Sequence, residues 1–561
     1  VELDTLAQTM ALFQALQGRW PAGVEDVVPA ARTVLLSLES GAVPFGQVAA
    51  EVQTLAASLA RAGEAGAAAR PDHPEIEIPV RYEGEDLDFV AGLLGMSRAE
   101  VIERHTGTVF HAAFAGFAPG FVYLADGDPC FHGVPRRASP RTRVPAGSVA
   151  MAGDFSAVYP SDSPGGWQLL GVTPIRMWDL GRAEPAWIQA GRAVRFRDLA
   201  AADSRVYLPK AATPGAHVPG IEGAPGNGAP SDRNTRSASA SAGTVVRANA
   251  AGSVCEGGHV EICSVGMQTL VQDLGRPGMT AMGVSASGAL DQGAARAANR
   301  IVGNPAGAAV LENLLGGLAL RCHGRLVLAV TGADAAIAIE TVDGRSLPVQ
   351  TGQALSLNDG EVLRIGAVRT GVRCYIAARG GWGVSPVLGS CATDTLSGVG
   401  PAPLRAGDLV PAGNVLSRAH LSAVLPERQI GAPLPTPGER LRFDVVLGPR
   451  TDWFTPQALD VLAKQEWLVT AQSDRVGMRL SGPEPLVRSV AGELPSEGTV
   501  AGALQVPANG QPVLFLADHP LTGGYPVIAA LAHYELDRAA QVPVGARLRF
   551  RPLGPFKEIQ T

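Results

Sequence analysis

Lysine is scarce in this sequence: 561 residues contain only Lys210, Lys464 and Lys557, and arginine supplies the rest of the positive charge. None of these lysines lies in a G-x-x-x-x-G-K-[ST] loop, so that phosphate-binding motif is excluded. Lysine and arginine together number 46 against 52 aspartates and glutamates, a net charge of −6. This balance excludes a basic nucleic-acid-binding surface as the main feature of the chain.

Cysteine is also sparse, and its spacing indicates neither a disulfide scaffold nor a metal site. Six cysteines occur without a C-x-x-C pair, and ten histidines occur without an H-E-x-x-H cluster. No apolar run reaches the ~18 residues of a membrane helix, and no signal peptide opens the sequence. We therefore expect a soluble, cytoplasmic protein that binds neither nucleic acid nor membranes and uses no protein-bound metal.

Glycine and proline, in contrast, are abundant, with 68 and 43 residues. Short apolar runs separated by these residues are typical of β-rich folds. A stretch at 209–258 has small, polar, proline and glycine residues without an amphipathic period, and it predicts a flexible linker between two halves. Light proteolysis is expected to cut there first and to leave two associated halves.

Hydrophobic periodicity predicts the elements on either side of this linker. Residues 3–17 and 45–62 have helical spacing on either side of two short strands, which predicts a small α+β domain. Further helices are predicted at 87–95, at 97–107 with a Ser97–Glu100 capping box, and in the second half, where short strands fill about 300 residues. The predicted domains are 1–80 (α+β), 81–208 (β-barrel), 209–258 (linker), 259–432 (β-barrel) and 433–561 (β-barrel).

Three motifs of the first half offer binding residues. FAGFAPGFVYL (114–124) places Phe117, Pro119 and Gly120 in a turn where backbone can approach a ligand, or in a tight barrel corner. SPRTRVPAGSV (139–149) places Arg141 and Arg143 on one face of a strand, as an anion clamp or as a solvated edge. SPGGWQLLG (163–171) adds the candidates Gly165, Gly166, Trp167 and Gln168.

Carboxylates beside glycine-rich turns are the candidates of the second half. VQDLGRPG (271–278) and SDRVGMRL (473–480) contribute Asp273, Arg276 and Arg475, whereas SASGALDQGAARAANRIVGN (285–304) predicts a serine-capped helix with Asp291 near its start. Residues 496–529 contain further polar groups suited to acid–base chemistry: Glu497, Asp518, His519, Thr522 and Tyr525.

These motifs resemble a known pair of families. Those of the first half are similar to allophanate hydrolase subunit 1, a family that includes the B subunit of 5-oxoprolinase and sporulation-kinase inhibitors. Those of the second half are similar to allophanate hydrolase subunit 2, a family that includes the C subunit of 5-oxoprolinase. The chain resembles a natural fusion of both, and the resemblance implies a mainly β fold with α+β, in which cyclophilin-like β-barrels follow a small α+β domain.

The resemblance implies three functions. The leading one is the fused B–C component of an ATP-dependent 5-oxoprolinase, which opens 5-oxoproline to glutamate with Mg²⁺-ATP and a separate third subunit. An alternative is a biotin-dependent carboxyltransferase acting on urea or a related amide; the chain has no A-M-K-M biotinylation site, so the carrier would lie on another chain. The third is a regulatory binding protein that inhibits a kinase. Self-association remains open.

We expect the site in a cleft shared by the two halves. Arg141 and Arg143 would bind the anionic end of the substrate or a phosphate, assisted by backbone N–H groups near the glycines. Asp273, Glu497 and Asp518 are the candidates for a general base or for Mg²⁺ contacts, and His519 is a candidate proton carrier. The competing interpretation is that these charges pair with one another and hold the interface.

Overall fold

The computed structural model describes residues 1–62, 75–201 and 258–556, apart from positions 18, 40, 138, 427, 429, 430, 432, 491 and 493. The predicted linker therefore lies outside the described residues, except for its last residue, Gly258. Strands predominate and helices are few. None of the described helices combines the length and apolar character needed to span a bilayer.

The N-terminal region is the predicted α+β unit. Its elements are α1 (Leu6–Leu16), β1 (Val24–Pro29), β2 (Val34–Leu38) and α2 (Phe45–Ala62). Thr5 and Gln8 form a capping box that begins α1. The two strands pair in antiparallel fashion, and both helices contribute to one small core that includes Leu12, Phe13 and Val52.

A seven-stranded sheet, in the order β10-β7-β8-β5-β4-β11-β3, fills the rest of the first half. Its two edges are joined because Arg81 and Val172 exchange backbone hydrogen bonds of 2.9 Å. Strand β3 precedes residue 81, so this sheet begins inside the segment predicted as the first domain. The elements are β3 (Ile76–Val80), α3 (Leu87–Leu94), α4 (Arg98–Gly107), β4 (Val109–Ala115), β5 (Val122–Ala125), β6 (Arg141–Val144), β7 (Ser148–Ala152), β8 (Phe155–Val158), β9 (Ser163–Gly165), β10 (Gln168–Val172) and β11 (Ala193–Asp198).

The second half begins with a nine-stranded sheet around a large apolar core. Two of its strands, β16 and β19, run for 15 and 17 residues and pair with each other, so the prediction of short strands throughout is wrong here. The elements are β12 (His259–Val265), β13 (Gln268–Gln272), α5 (Gln292–Val302), β14 (Val310–Leu314), β15 (Leu318–His323), β16 (Leu326–Glu340), β17 (Ser346–Val349), β18 (Ala354–Leu357), β19 (Val362–Ala378) and β20 (Leu409–Pro411).

A closed barrel, β21-β28-β25-β26-β23-β22-β29, completes the chain. Its interior is apolar and includes Phe443, Trp467 and Phe550. The predicted fold class, β-barrels preceded by a small α+β domain, is confirmed. The elements are β21 (Arg440–Leu447), α6 (Pro456–Lys464), β22 (Trp467–Val469), β23 (Gly477–Ser481), β24 (Glu497–Gly498), β25 (Ala503–Gln505), β26 (Val513–Phe515), β27 (Thr522–Gly523), β28 (Val527–Leu531), α7 (Leu536–Ala540) and β29 (Arg547–Pro552).

Candidate functional site between the two halves

The loop between β4 and β5 packs against the second half of the chain. Phe117 has a φ of 61°, and its backbone N–H donates to the Thr522 hydroxyl at 3.1 Å. A Cβ at Gly116 would overlap the Thr522 side chain, so only glycine allows this approach. Gly120 donates its N–H to the carbonyl of Met282 at 3.0 Å. The loop is therefore a docking element as well as a barrel corner.

Thr522 belongs to a two-stranded ribbon of the second half. Strand β27 pairs with β24, and this places Glu497 opposite Gly523. The preceding residue, Ser496, accepts a hydrogen bond from the Ala31 N–H at 3.0 Å and donates to the Tyr123 hydroxyl at 3.2 Å. The ribbon thus contacts both domains of the first half.

A second contact ties the N-terminal hairpin to the second half. The Thr280 hydroxyl donates to an Asp26 carboxylate oxygen at 2.8 Å, and the Gly278 N–H donates to the other oxygen at 3.3 Å. Burial raises the pKa of Asp26. Backbone N–H groups and short polar side chains make this contact at Asp26, and the same kinds of group make the contact at Thr522.

Aromatic rings line the first-half side of this contact. The Phe121 ring lies at the centre of the cluster, with centroid distances of 5.2–5.5 Å to four neighbours. Those neighbours are Phe117, Tyr123, Tyr159 and Trp167. Burial raises the pKa of Tyr159, so its hydroxyl stays protonated. The cluster forms an aromatic wall, and the charges of Arg136 and Arg141 lie close enough to act on the Tyr159 hydroxyl.

Arg141 and Arg143 do not form the predicted common clamp. Arg141 donates to Asp86 at 2.9 Å and Glu85 at 3.0 Å, and its side chain is 14% exposed. Arg143 pairs with Asp162 at 2.6 Å and is 75% exposed. The β6–β9 register shifts between Arg141 and Val144, and this irregularity removes the simple alternation that would place both guanidiniums side by side.

Three buried polar atoms around β6, β9 and β10 have no hydrogen-bond partner within the described part of the chain. They are Nη1 of Arg141, Oγ of Ser163 and Oε1 of Gln168. An unpaired buried polar atom costs about 1–3 kcal/mol, so a bound water, ion or ligand that pairs with it stabilises the protein. The three atoms are a donor, a hydroxyl and an acceptor.

Glycines bring backbone close to these atoms. Gly165 lies opposite Arg141 in the β6–β9 ribbon, and the Tyr159 hydroxyl fills the place of its missing Cβ. The carbonyl of Gly166 accepts from the Arg137 N–H at 2.7 Å. Gly524 belongs to the second half, and the guanidinium of Arg136 occupies the place where a Cβ of Gly524 would lie. Arg136 therefore extends from the basic side chains of the first half to the turn that holds Thr522 and Tyr525. Arg136 is not among the residues singled out from the sequence, and the R-R pair at 136–137 is the one sequence signal for it.

Asp273 and Arg276 join two segments of the second half. The Asp273 carboxylate accepts from the Ser390 hydroxyl at 2.6 Å on one oxygen and from the Cys391 N–H at 2.6 Å on the other. Arg276 is buried and donates to the carbonyls of Val387 and Ala392. Asp273 does not fit its predicted role as general base, because both of its oxygens hold this turn together.

Asp518 and Arg475 form a buried ion pair that links the two sheets of the second half. Arg475 contacts Asp518 at 2.9 Å and Glu312 on β14 at 2.5 Å. The Ser287 hydroxyl and Thr395 also donate to Asp518, at 2.6–2.8 Å. Burial opposes ionisation of Asp518, but the Arg475 guanidinium outweighs it and lowers the pKa. These contacts indicate a structural role instead of the predicted catalytic one.

The helix predicted within 285–304 forms, but its N-cap is not the serine that the sequence predicted. Asp291, and neither Ser285 nor Ser287, caps α5 by accepting from the Ala294 N–H at 2.8 Å. The two serines bond to Asp394 and Asp518 instead. The hydroxyls of Ser285 and Ser287, which the sequence suggested as helix caps, therefore bond to residues that are distant in the sequence.

Glu497 and His519 lie near the Thr522 ribbon. Oε1 of Glu497 accepts from Arg450 at 2.7 Å, and the Val1 ammonium lies close enough to interact electrostatically with the same carboxylate. His519 is buried, which lowers its pKa and keeps the ring neutral, and its Nδ1 lies 3.0 Å from the Pro520 carbonyl. The Tyr525 ring stacks under Arg488. No set of three or more metal-ligating side chains occurs among residues 1–62, 75–201 and 258–556.

Comparisons with known proteins match both halves of the chain. The family described as carboxyltransferase domain, subdomain C and D, matches residues 1–188, and subdomain A and B matches residues 282–552. The C subunit of 5-oxoprolinase from Escherichia coli K12 is 36% identical over 294 residues, covering 52% of this chain and 90% of that protein. The B subunit of 5-oxoprolinase from E. coli O157:H7 is 44% identical over 141 residues, 25% of this chain and 64% of that protein.

Two further similarities are to a larger enzyme and to a solved structure of the same length. Urea amidolyase of Saccharomyces cerevisiae is 33% identical over 312 residues, which cover 52% of this chain but only 16% of that enzyme. The crystal structure of TTHA0988 matches at a TM-score of 0.77 and 31% identity, over 98% of both chains. The chain therefore belongs to the carboxyltransferase-domain family and joins the C–D and A–B subdomains of that family in one polypeptide.

Proposed function

We propose that this chain is the fused B–C component of an ATP-dependent 5-oxoprolinase that acts in the cytoplasm with a separate third subunit. One observation carries the proposal: relatives named as the B and the C subunits of 5-oxoprolinase match successive parts of the same chain. Fusion keeps two cooperating subunits at a high effective concentration, which favours a site that both halves build.

The residues proposed for the site have polar groups that suit 5-oxoproline. Arg141 offers a buried N–H for the carboxylate, and the unpaired atoms of Ser163 and Gln168 suit the lactam carbonyl and N–H. Glu497, which lies on β24 of the ribbon that holds Thr522, is the proposed general base, and neutral His519 is the proposed proton carrier. Thr522, Gly165 and Gly166 bring backbone close to the same region.

ATP with Mg²⁺ is the proposed co-substrate. A lactam is a stabilised amide, and phosphate transfer from ATP activates its carbonyl oxygen so that two waters complete hydrolysis to glutamate, ADP and phosphate. Mg²⁺ takes one or two carboxylates plus phosphate oxygens, so it needs few ligands from the protein. The guanidiniums of Arg136 and Arg141 fit an anionic substrate or phosphate at this place.

The test is reconstitution of the complete reaction. The purified chain, a candidate third subunit, 5-oxoproline and Mg²⁺-ATP are combined, and glutamate and phosphate are measured. Equal release of both products is expected only when both proteins are present, and Glu497→Gln should reduce it. The absence of glutamate above background, with a third subunit shown to be active with its own B and C partners, would refute the proposal.

The similarity to urea amidolyase supports a second candidate, carboxyl transfer from carboxybiotin to urea or a related amide. This sequence contains no A-M-K-M lysine, so the biotin carrier would be a separate protein. Incubation with a carboxylated carrier and ¹⁴C-labelled carboxylate distinguishes the two reactions. Transfer of label to urea without glutamate formation would replace the first candidate by this one.

A further inference from the structure

A cavity of about 400 Å³ lies on the first sheet of the second half, on a different domain from the Arg141 site. It opens between the start of β16, the residue after β19 and the segment that follows β20. Its volume is within the usual range for small-molecule pockets, roughly 300–1,000 Å³. The lining residues used below are Arg325, Leu326, Arg379, Gly413, Leu416 and Arg418.

Three arginines from separate stretches of the chain converge on this cavity, and no acidic side chain of the described residues lines it. Arg325 and Arg418 form no ion pair with any described residue. Arg379 uses Nη1 to donate to the carbonyls of Val302 and Ser422, at 2.7 and 2.8 Å, and its other nitrogens remain available. Arg325 and Arg418 are exposed to solvent, and three positive charges at one concave surface favour the binding of an anion there.

The arrangement is uncommon within this protein. The chain is acidic overall, and arginines of the same sheet, such as Arg345 and Arg369, pair with neighbouring aspartates. A concave surface that carries guanidiniums without carboxylates concentrates positive potential in one place. Guanidiniums match phosphate oxygens bidentately, so three of them suit a group with several negative charges.

The apolar part of the cavity lining, called the apolar floor below, includes Leu326 and Leu416. A Cβ at Gly413, which has a φ of 93°, would lie 3.2 Å from Leu326. The N–H groups of Val415 and Leu416 both donate to the Gly380 carbonyl, at 3.0 and 2.8 Å, and fix the wall. A ligand would therefore place an apolar or aromatic part on the floor and its charges at the rim.

We propose that this cavity binds an organic di- or polyphosphate whose phosphates pair with Arg325, Arg379 and Arg418 and whose apolar part lies on Leu326 and Leu416. The site is separate from the one between the halves, so its occupancy does not depend on the proposed lactam reaction. Nucleotides are one class with this chemistry, and pyrophosphate is the corresponding probe without an apolar part.

Calorimetric titration of the full chain with ADP and with pyrophosphate, both without Mg²⁺, tests the proposal. The double variant Arg325→Ala/Arg418→Ala should weaken binding of both probes at least tenfold. The matched control, Arg345→Ala/Arg369→Ala, removes the same charge from exposed ion pairs of the same sheet and should leave binding unchanged. In the Arg141→Ala background, which removes a phosphate ligand proposed for the other site, the chain should still bind both probes, and the double variant should still weaken that binding at least tenfold.

Three results would overturn the proposal. They are the absence of saturable binding of either probe at millimolar concentration, equal weakening in the pocket and control double variants, or loss of binding in Arg141→Ala alone. Tighter binding of ADP than of pyrophosphate is expected from the apolar floor, and the reverse order would contradict the proposed place of Leu326 and Leu416. Thermal unfolding of each variant confirms that it is folded.

Discussion

Arg141 and Arg143 show how two residues of one type, two positions apart, acquire different roles. Arg141 is largely buried, holds Asp86 and keeps one nitrogen without a partner among the described residues. Its charge, with that of Arg137, lowers the pKa of Asp86 although burial acts in the opposite direction. Arg143 makes an exposed ion pair, a kind of contact that contributes about 0–1 kcal/mol.

Arg141→Ala is expected to reduce turnover at least tenfold, about 1.4 kcal/mol of transition-state stabilisation, because its free nitrogen is the proposed carboxylate ligand. Arg143→Ala is the control and should keep near-normal turnover. Steady-state kinetics of glutamate release measures both. Full activity per folded molecule in Arg141→Ala, or an equal loss in Arg143→Ala, would contradict the site assignment.

Asp291 links the N-cap of α5 to a pH dependence of stability. Burial raises its pKa from the ordinary 3.8 to about 6, and its second oxygen accepts from Gln541 at 2.7 Å. The folded protein therefore binds a proton at Asp291 more tightly than the unfolded chain does. The contribution of this group to stability is complete below about pH 4 and is lost as the pH rises to about 6.

Asp291→Asn should remove this pH dependence, because asparagine is also a good N-cap and cannot ionise. The unfolding free energy of the variant, relative to the natural protein, should rise between about pH 4 and 6 and stay constant above, by up to about 3 kcal/mol. Urea denaturation at several pH values measures it. A difference that does not change with pH over this range would show that Asp291 does not titrate as proposed.

At the scale of elements, the docking of the β4–β5 loop depends on close backbone approach. A short 3₁₀ turn, Thr280–Met282, is followed by Gly283, which has a φ of 77°. A Cβ at Gly283 would lie 2.5 Å from the Ala118 carbonyl oxygen, which cannot move without shifting the loop. The fit between the halves is therefore steric as well as hydrogen-bonded.

Gly283→Ala is expected to weaken the association of the two halves. A protease site inserted between residues 209 and 257 allows cleavage, after which a sizing column reports whether the halves stay together. The parent protein should elute as one complex and the variant should separate at lower concentration. Gly344→Ala is the matched control, since its φ is 84° but no atom lies within 4 Å of the added Cβ. Equal behaviour of the two variants would show that the close contact is unimportant.

At the scale of the whole molecule, the halves meet mainly through backbone groups, hydroxyls and apolar side chains. Glu2 and Arg450 form an ion pair that crosses between them, at 3.0 Å. Gly498 packs against Leu35 and Val28 across the same contact. The absence of opposed charge blocks in the sequence favours such an apolar association.

Salt should therefore have little effect on the cleaved protein. At 1 M NaCl the Debye length is about 3 Å, so attraction between exposed charges is largely removed, whereas apolar burial is not weakened. Analytical ultracentrifugation of the cleaved chain at 0.1 and 1 M NaCl should give dissociation constants within about threefold of each other. A much weaker complex at high salt would show that ion pairs hold the halves.

Local patterns were sufficient for much of the fold. The helices at 6–16, 45–62 and 98–107 follow from apolar spacing and caps, and the long motifs identify the family. The length of strands β16 and β19 was not predicted, because the alanines and glycines within them resemble the ends of short strands. Periodicity, capping and turn chemistry act over a few residues, so a sequence contains that information directly.

The sequence by itself determined the family, the fold class and the set of polar residues from which a site is built. Only the tertiary structure decided which of them bind one another: Ser287 reaches Asp518 across 231 residues, Phe117 reaches Thr522 across 405, and Arg141 finds Asp86 instead of Arg143 as its neighbour. The physical reason is that such pairs depend on how sheets pack and where strand registers shift, and packing joins residues that no local pattern connects.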